Sequence, residues 1–217
     1  MFQTFSFGHV NYLLQGAIWT LVLAGIALVC GGVLGAIVAQ ARISTIAPLR
    51  YLMQGYIYVV QGTPLLVLLF ICYYGVSYLG IELPAIMAAA VGFTVYVSAF
   101  LGEIWRGCIQ SVARGQWEGG AALALTRWQT LRYIVVPQAF RVAIPPTVGF
   151  SVQVVKNTAL ASIVGFIELT RAGQIVANAT FQPLQVYLTV GAFYFVMCGS
   201  LAYLSRAIDK RITIKNA

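Results

Sequence analysis

Charge is scarce in this sequence. Asp, Glu, Lys and Arg make up 8% of its 217 residues, whereas a soluble domain carries roughly a quarter. No residue of these four types occurs in 1–41, 51–81, 83–102 or 172–205. A fifth apolar stretch, 142–167, is interrupted only by Lys156. A helix crosses the bilayer core with about 20 apolar residues, so these stretches exclude a soluble domain and predict a polytopic, all-α membrane protein.

The residue types that build most catalytic and metal sites are also scarce. His9 is the single histidine, so no span carries a Ser–His or Cys–His pair or a histidine-rich metal site. The four cysteines show no spacing typical of a metal site or a disulfide framework. None of the three lysines follows a glycine, which excludes a Gly-x-x-x-x-Gly-Lys phosphate loop. The sequence therefore predicts no catalytic residue, no metal site and no nucleotide site in this chain.

The basic residues lie almost entirely on one side of the predicted bundle. Of 13 Lys and Arg residues, 11 fall on one face, Arg171 falls on the other, and Lys156 lies inside a span. By the positive-inside rule this distribution predicts five spans, with the N-terminus outside and the C-terminus in the cytoplasm. The same placement indicates that the net charge of +8 meets membrane lipid and not nucleic acid. The basic tail 206–217 is interpreted as a snorkelling anchor.

The whole chain, 1–217, is interpreted as a single transmembrane domain. Its predicted spans cover about 12–40, 53–78, 84–105, 147–168 and 184–205. The segment Gly62-Thr63-Pro64 predicts a kink in the second span, because proline removes a backbone hydrogen bond. Pro145-Pro146 is predicted to open the fourth span, since proline suits the first helical turn.

The largest polar segment, 106–145, is predicted to be helical and cytoplasmic. Thr126 followed by Gln129 fits a capping box, which predicts that a second short helix begins at Arg127. Pro137 is predicted to stop or kink that helix. Helical spacing gives the segment an apolar face that consists of Trp117, Ala121, Leu125 and Trp128. Two interpretations stay open: a helix–turn–helix with a surface for a partner, or an amphipathic helix on the membrane.

The same segment follows a recognisable pattern. Glu118-Gly119-Gly120 is followed by Ala124 and then by Ile134-Val135-Val136-Pro137. These residues resemble the signature loop of permease subunits in bacterial ATP-binding-cassette importers, which reads Glu-Ala-Ala, three residues, Gly, nine residues, then Ile, any residue and Leu-Pro. Two glycines replace the alanines, Ala124 replaces the glycine, and valine replaces the leucine.

Other short motifs resemble the polar amino acid branch of that family, which includes histidine-, glutamine-, arginine- and glutamate-type permeases. In chain order they are Gly62-Thr63-Pro64-Leu65-Leu66-Val67, Glu103-Ile104-Trp105-Arg106-Gly107, Arg127-Trp128-Gln129-Thr130-Leu131, Pro137-Gln138-Ala139, Lys156-Asn157-Thr158 and Glu168-Leu169-Thr170-Arg171. Gln61 stands where that branch commonly has arginine. The resemblance runs from about Leu13 to Arg211, and its specificity comes from the ordered series.

The resemblance implies a type I importer permease fold, a multi-pass subunit of the bacterial inner membrane without catalytic residues. It implies an ATP-binding-cassette ATPase dimer, which would bind ATP and Mg, and an extracytoplasmic solute-binding protein. A second permease subunit, the same chain or a related one, is expected because five spans make a thin wall around a solute path. Two short helices around 115–136 would couple the ATPase to the spans. The residues assigned to this coupling are Glu118, Gly119, Gly120, Ala124, Leu125, Thr126, Arg127, Trp128, Ile134 and Pro137.

Two ionisable residues lie in the predicted fourth span. Charged groups inside a membrane are costly and indicate a transport path, so Lys156 and Glu168 are candidate contacts for an amino acid. They are 12 residues apart, about 18 Å along a straight helix, which excludes a direct pair. As alternatives, Lys156 forms a structural ion pair with a neighbouring helix or subunit, and Glu168 pairs with Arg171 at the membrane interface. The other candidate lining groups are Thr63, Pro64, Tyr96, Ser98, Asn157 and Thr158.

Taken together, the sequence predicts the transmembrane subunit of an ATP-driven importer for a polar amino acid. The alternative is a self-sufficient secondary carrier or channel for small solutes. Secondary carriers often show inverted repeats and use buried acidic residues for ion coupling. Five acidic residues in all, together with a polar segment suited to docking, favour the importer. Which amino acid is carried stays open.

Overall fold

The protein is described by a computed structural model that covers residues 5–78, 80 and 82–214. Every regular element in these residues is helical, as the sequence predicted. The elements are α1 (Phe7–Arg42), α2 (Ala47–Gly62), α3 (Leu65–Tyr78), α4 (Ala85–Gln110), α5 (Arg114–Ala122), α6 (Arg127–Thr130), a π-helical turn (Leu131–Val135), α7 (Val136–Asn157), a 3₁₀ segment (Thr158–Val164), α8 (Leu169–Thr180) and α9 (Pro183–Ile214).

Three helices are long and apolar enough to cross a membrane: α1, α4 and the Pro183–Ala207 part of α9. Two further helix pairs meet that test only together. One is α2 with α3, bent by 104°, and the other is Arg127–Val164 with α8, bent by 54°. The described residues therefore contain three to five candidate spans, and the predicted five corresponds to counting each bent pair as one span.

The second predicted span, 53–78, is broken where a kink was expected. Thr63 has an extended backbone, with φ −99° and ψ 129°, as expected of a residue before proline. Pro64 has no amide to continue the ladder of α2. Its carbonyl instead accepts from the Leu68 amide at 3.1 Å, which starts α3. The change of direction at this point makes two helices of one apolar stretch.

No helix begins at about 147, where the fourth span was predicted to start. The helix that begins at Arg127 does not end at Pro137 but continues through it and through Pro145 and Pro146. The π-helical turn Leu131–Val135 precedes Pro137, and such a widened turn accommodates a ring that would otherwise crowd the preceding carbonyls. One helix thus joins the polar segment directly to the span.

The predicted end of that span is also different. A continuous helix over 147–168 is replaced by the 3₁₀ segment Thr158–Val164 and then by Gly165 in the left-handed region, with φ +88°. Glycine adopts that conformation without a Cβ penalty. Glu168 consequently lies at the N-cap of a separate helix, α8.

The core is centred on the contact between α1 and α4. Leu23, Phe93 and Val97 are almost completely buried there, together with Val154 of α7. The two helices approach so closely at Gly31 that a Cβ at this position would lie 2.6 Å from the Val97 side chain. Small residues permit such contacts between helices in lipid.

Candidate functional site

We call residues 119–130 the corner. They comprise the end of α5, the turn that follows it and α6. The predicted capping box is confirmed at the start of α6. The Gln129 amide donates to Thr126 Oγ1 at 3.3 Å, and the Thr126 amide donates to Gln129 Oε1 at 2.8 Å. This reciprocal pair satisfies two backbone donors that have no partner within the helix, so the start of the long helix is well defined.

The corner is held against the long helix by a very close contact. A Cβ at Gly120 would lie 2.5 Å from both Cγ2 and Oγ1 of Thr130. The Thr130 hydroxyl also donates to the Thr126 carbonyl at 3.1 Å. Gln138 donates from Nε2 to Gln116 Oε1 at 3.2 Å and so ties α5 to α7. Displacing α5 therefore requires displacing the helix beneath it.

Ala124 closes the corner with a left-handed backbone, φ +55°. This is the position at which the signature pattern has glycine. An alanine there crowds its Cβ against the backbone, at a cost of about 1–2 kcal/mol. A glycine would adopt this conformation without that cost, which gives the glycine of the pattern a physical reason.

The outer surface of the corner is exposed and partly apolar. Leu123 is 72% exposed and Trp128 is 60% exposed. Trp117 is half-buried. Glu118 lies 3.8 Å from Arg114, one helical turn away, and both side chains are largely exposed. A solvent-exposed pair of this kind contributes little to stability, so Glu118 is free to exchange Arg114 for another partner.

The remaining predicted coupling residues surround this surface. Gly119 is exposed, and a Cβ added to it would touch nothing within 4 Å. Arg127 donates from Nη2 to the Ile43 carbonyl at 3.3 Å, which connects the corner to the turn after α1. Leu125 and Ile134 are half-buried, whereas Pro137 is exposed. The structure thus gathers the predicted coupling residues at one end of the bundle.

Two of the predicted path residues meet inside the bundle. Asn157 of α7 donates from Nδ2 to the Tyr96 hydroxyl of α4 at 3.4 Å. The Tyr96 ring stacks on Phe150 with 5.9 Å between centroids, and Phe100 stacks on Phe150 at 5.4 Å. These three rings and the amide of Asn157 form a surface that is aromatic on one side and polar on the other.

The adjoining face of α7 is polar and uncovered. It consists of Gln153, Lys156 and Asn157, which we call the polar face. Gln153 and Lys156 are exposed, and Gln153 donates to Asn157 Oδ1 at 3.0 Å. Lys156 forms no salt bridge with any side chain that the structure describes. A contact of Lys156 with substrate, or an ion pair with another subunit, therefore stays a prediction.

Glu168 is fully buried and hydrogen bonded from four directions. Its carboxylate accepts from the Thr170 and Arg171 amides, both at 2.8 Å. It also accepts from the Tyr194 hydroxyl at 2.8 Å and the Thr20 hydroxyl at 3.4 Å. The predicted side-chain pair with Arg171 is wrong, because the Arg171 guanidinium binds Gln174 instead. Contact with substrate stays a prediction for Glu168.

Three other predicted path residues point to different partners. Ser98 is buried and lies 2.6 Å from the Tyr56 hydroxyl of α2. Thr63 donates to the Val59 carbonyl at 2.7 Å, within its own helix. Thr158 donates to the Val155 carbonyl at 2.7 Å and lies near the Tyr194 hydroxyl. The candidate path residues are thus divided among separate clusters, and Pro64 is exposed at the α2–α3 break.

Several residues of these clusters were not identified from the sequence. Gln153 carried a signal, since it precedes Asn157 by one helical turn and both are amides in an apolar helix. Phe100 and Phe150 look like ordinary core aromatics in the sequence. Thr20 and Tyr194 carry no local signal, because they reach Glu168 only through packing of α1 and α9 on α8.

A bundle of apolar helices with an exposed helical corner at one end defines a polytopic membrane subunit. The chain belongs to the family of inner membrane components of binding-protein-dependent transport systems, whose model matches residues 9–214. This family is the one whose signature the sequence resembled, and its match covers the corner, the polar face and all but the first two residues of the candidate spans.

Individual relatives and a solved structure agree with this assignment. The chain is 34% identical over 200 residues to a probable amino-acid ABC transporter permease, YckA of Bacillus subtilis (strain 168), covering 92% of this chain and 88% of that one. It is 36% identical over 202 residues to the L-cystine transport system permease TcyB of the same organism, covering 92% and 86%. A crystal structure of an amino acid ABC transporter with histidines matches at a TM-score of 0.90, with 31% identity, 96% of this chain and 100% of that chain.

Proposed function

We propose that this chain is the transmembrane subunit of an ATP-driven importer that carries a polar amino acid across the bacterial inner membrane. Relatives named as amino acid permeases support this function over a self-sufficient carrier. The excess of basic residues on the corner side supports a cytoplasmic C-terminus and an external N-terminus. An extracytoplasmic binding protein would deliver the substrate to the opposite face.

The observation that carries the proposal is the exposed corner and its firm attachment to a membrane helix. Leu123 and Trp128 present apolar surface to solvent, a feature typical of a contact surface for another protein. Gly120 and Thr130 are so closely packed that no space separates this surface from the long helix. A separate ATPase that binds the corner would therefore move the span together with the corner. The ATPase, and not this chain, would bind ATP and Mg.

The polar face supports a path shared by two permease subunits. Exposure of Lys156 and Gln153 to lipid within a membrane span would be costly. We therefore infer that a second copy or a related chain covers them across a hydrated path. Lys156 would attract the carboxylate of the amino acid, and Asn157 would offer it a hydrogen bond. Tyr96 and its stacked neighbours would pack against the apolar part of the substrate.

Glu168 lies outside the path that we propose. Its Oε1 accepts from the Arg171 amide of α8, and its Oε2 accepts from groups of α1, α8 and α9. A substrate ammonium would have to enter a site with no exposed surface. We therefore assign Glu168 to the positioning of α8.

The test is reconstitution of the chain with its ATPase and binding protein in vesicles, with uptake and ATP hydrolysis measured for each of the twenty amino acids. Stimulation by one or a few of them is expected. Lys156→Gln should raise KM for uptake about tenfold or more, because a charge-assisted bond of about 1.5–3 kcal/mol is lost. Arg141→Gln, which removes a charge from the exposed side of the same helix, should leave KM unchanged.

The possible results separate the parts of the proposal. Equal KM values for the two variants would refute the role of Lys156 while leaving the importer function intact. Hydrolysis that no amino acid stimulates would refute the substrate class. Failure of any ATPase to associate with the chain would refute the importer function and favour a self-sufficient carrier.

A further inference from the structure

A basic cavity lies where the end of α1, the start of α2 and the corner meet. Its volume is about 360 Å³, and three of its lining residues are arginines: Arg42, Arg50 and Arg127. Ser44 and Thr45 of the α1–α2 turn add hydroxyl groups to the lining. We call this cavity the basic cup. None of the coupling or path contacts described above requires three positive charges at this place.

The arginines retain unused hydrogen-bonding capacity. Arg42 donates from Nη1 to Gln54 Oε1 at 3.0 Å and to the Arg50 carbonyl at 3.4 Å, while its buried Nε has no partner among the described residues. The Arg50 guanidinium stacks over the Tyr51 ring at 5.2 Å. Arg127 uses one nitrogen on the Ile43 carbonyl. A guanidinium has five N–H donors, so most donors in the cup are available to an acceptor.

The positive charge of the cup is not neutralised by a carboxylate in its lining. All of its described lining residues are basic, polar or apolar. Glu103 attracts Arg42 from outside the lining, but it is engaged by the guanidinium of Arg106 through both oxygens. Three guanidinium groups around one small cavity form a site for an anion with several oxygens, such as a phosphate group.

An apolar groove continues from the cup along α1. This second cavity, of about 720 Å³, shares the α1–α2 turn, Trp117 and Arg127 with the cup. It then runs past Ala36, Ile37, Leu49, Trp128 and Leu131. Ile37 belongs to a candidate span and is largely exposed, so the groove opens on the side of α1 that faces hydrocarbon. A charged cup joined to such a groove has the shape of a site for an amphiphile.

We propose that the basic cup and its groove bind an anionic phospholipid. The phosphate lies among Arg42, Arg50 and Arg127, and one acyl chain follows the groove along α1. Basic pockets between membrane helices on the cytoplasmic side are suited to such headgroups. Trp117 and Arg127 line both cavities, so the bound lipid joins the α1–α2 turn to the corner. Under the proposed function, an anionic lipid then supports coupling to the ATPase.

The test measures bound lipid directly, apart from transport. The permease–ATPase complex is extracted with detergent from vesicles of phosphatidylcholine with a small fraction of phosphatidylglycerol, and co-purifying lipid is quantified by mass spectrometry. Arg42→Gln/Arg50→Gln should weaken retention of phosphatidylglycerol about 30-fold, since two arginines near the anionic headgroup are lost. Arg132→Gln/Arg141→Gln, which removes two exposed arginines outside both cavities, should retain the lipid.

A second variant covers the case in which the double substitution fails to fold. Thr45→Glu keeps all three arginines and places a carboxylate in the cup, so it should exclude the lipid as the double variant does. Glycerol 1-phosphate is added in a competition arm to separate a lipid from a soluble phosphate. Weak displacement at millimolar concentration supports a lipid site, because the groove contributes to binding.

Three results would overturn the proposal. Equal retention of phosphatidylglycerol by the cup variants and the control pair would show that the cup does not hold the lipid. Displacement by glycerol 1-phosphate at the lipid's own concentration would indicate a site for soluble phosphate. Loss of the ATPase from the cup variants, with lipid retention intact, would show that the ATPase occupies the cup. The last two results leave the proposed transport function untouched.

Discussion

Replacing Gly120 by alanine tests whether the corner and the long helix move as one body. A Cβ at this position would lie 2.5 Å from two Thr130 atoms and 3.1 Å from a third. Unstrained carbon contacts are about 3.5–4.0 Å, so α5 must retreat by about 1 Å. Overpacking of this kind costs about 1–3 kcal/mol, partly offset by about 1 kcal/mol of helix propensity gained from alanine.

Gly119 provides the matched control. It is the neighbouring residue of the same helix, and a Cβ added there meets nothing within 4 Å. Gly119→Ala therefore gains the helix propensity without the clash. The two variants should differ by about 1–3 kcal/mol in the local stability of α5, which is roughly a 5- to 150-fold difference in amide exchange rate.

Hydrogen–deuterium exchange over Arg114–Ala122, followed by mass spectrometry, measures this difference. Thr130→Ala removes two of the three clashing atoms, so the pair Gly120→Ala/Thr130→Ala should recover most of the protection in a double-mutant cycle. Gly120→Ala should also lower uptake per ATP hydrolysed in reconstituted vesicles. Identical exchange in Gly119→Ala and Gly120→Ala would refute the close contact and the coupling derived from it.

Four further changes have expected outcomes. Ala124→Gly should relieve left-handed strain and stabilise the corner by about 0.5–1 kcal/mol, seen as slower proteolysis there; faster cleavage would contradict the strain. Thr126→Ala removes the capping side chain and should cost about 1 kcal/mol, measured by exchange at the start of the long helix. Gly31→Ala should lower the thermal midpoint of the solubilised protein by overpacking against α4, at about 1–3 kcal/mol, whereas Gly25→Ala, with open space around it, should not. Glu168→Gln should lower that midpoint, at about 1.5–3 kcal/mol for each weakened bond, and leave KM unchanged; a raised KM would return Glu168 to the path.

Much of the fold was predictable because the relevant signals are local. The charge-free runs located α1, α4 and α9, since the need to cross hydrocarbon is a property of composition alone. The Thr126–Gln129 capping box was equally local and is confirmed. The order of motifs identified the family that the comparisons show.

The errors arose where tertiary packing outweighs local preference. Pro137 was expected to stop or kink a helix and Pro145-Pro146 to open one, yet the helical stretch from Arg127 continues through all three. Packing against α4 and α9 stabilises this helix, and the π-helical turn accommodates the ring of Pro137. The hydrogen-bond partners of Glu168 were also not predictable from the sequence, because Thr20 is 148 residues away and contacts Glu168 only in the folded bundle.

The helical stretch from Arg127 to Val164, which contains a π-helical turn and a 3₁₀ segment but no loop, has a mechanical consequence. At 1.5 Å per residue it is about 55 Å long, and Lys156 lies about 43 Å from its start. If the whole helix turns about the corner by about 5°, the Lys156 backbone sweeps through about 4 Å, more than the length of a hydrogen bond. A small angular change at the corner is therefore magnified into a displacement of about 4 Å at Lys156, because no loop separates the two.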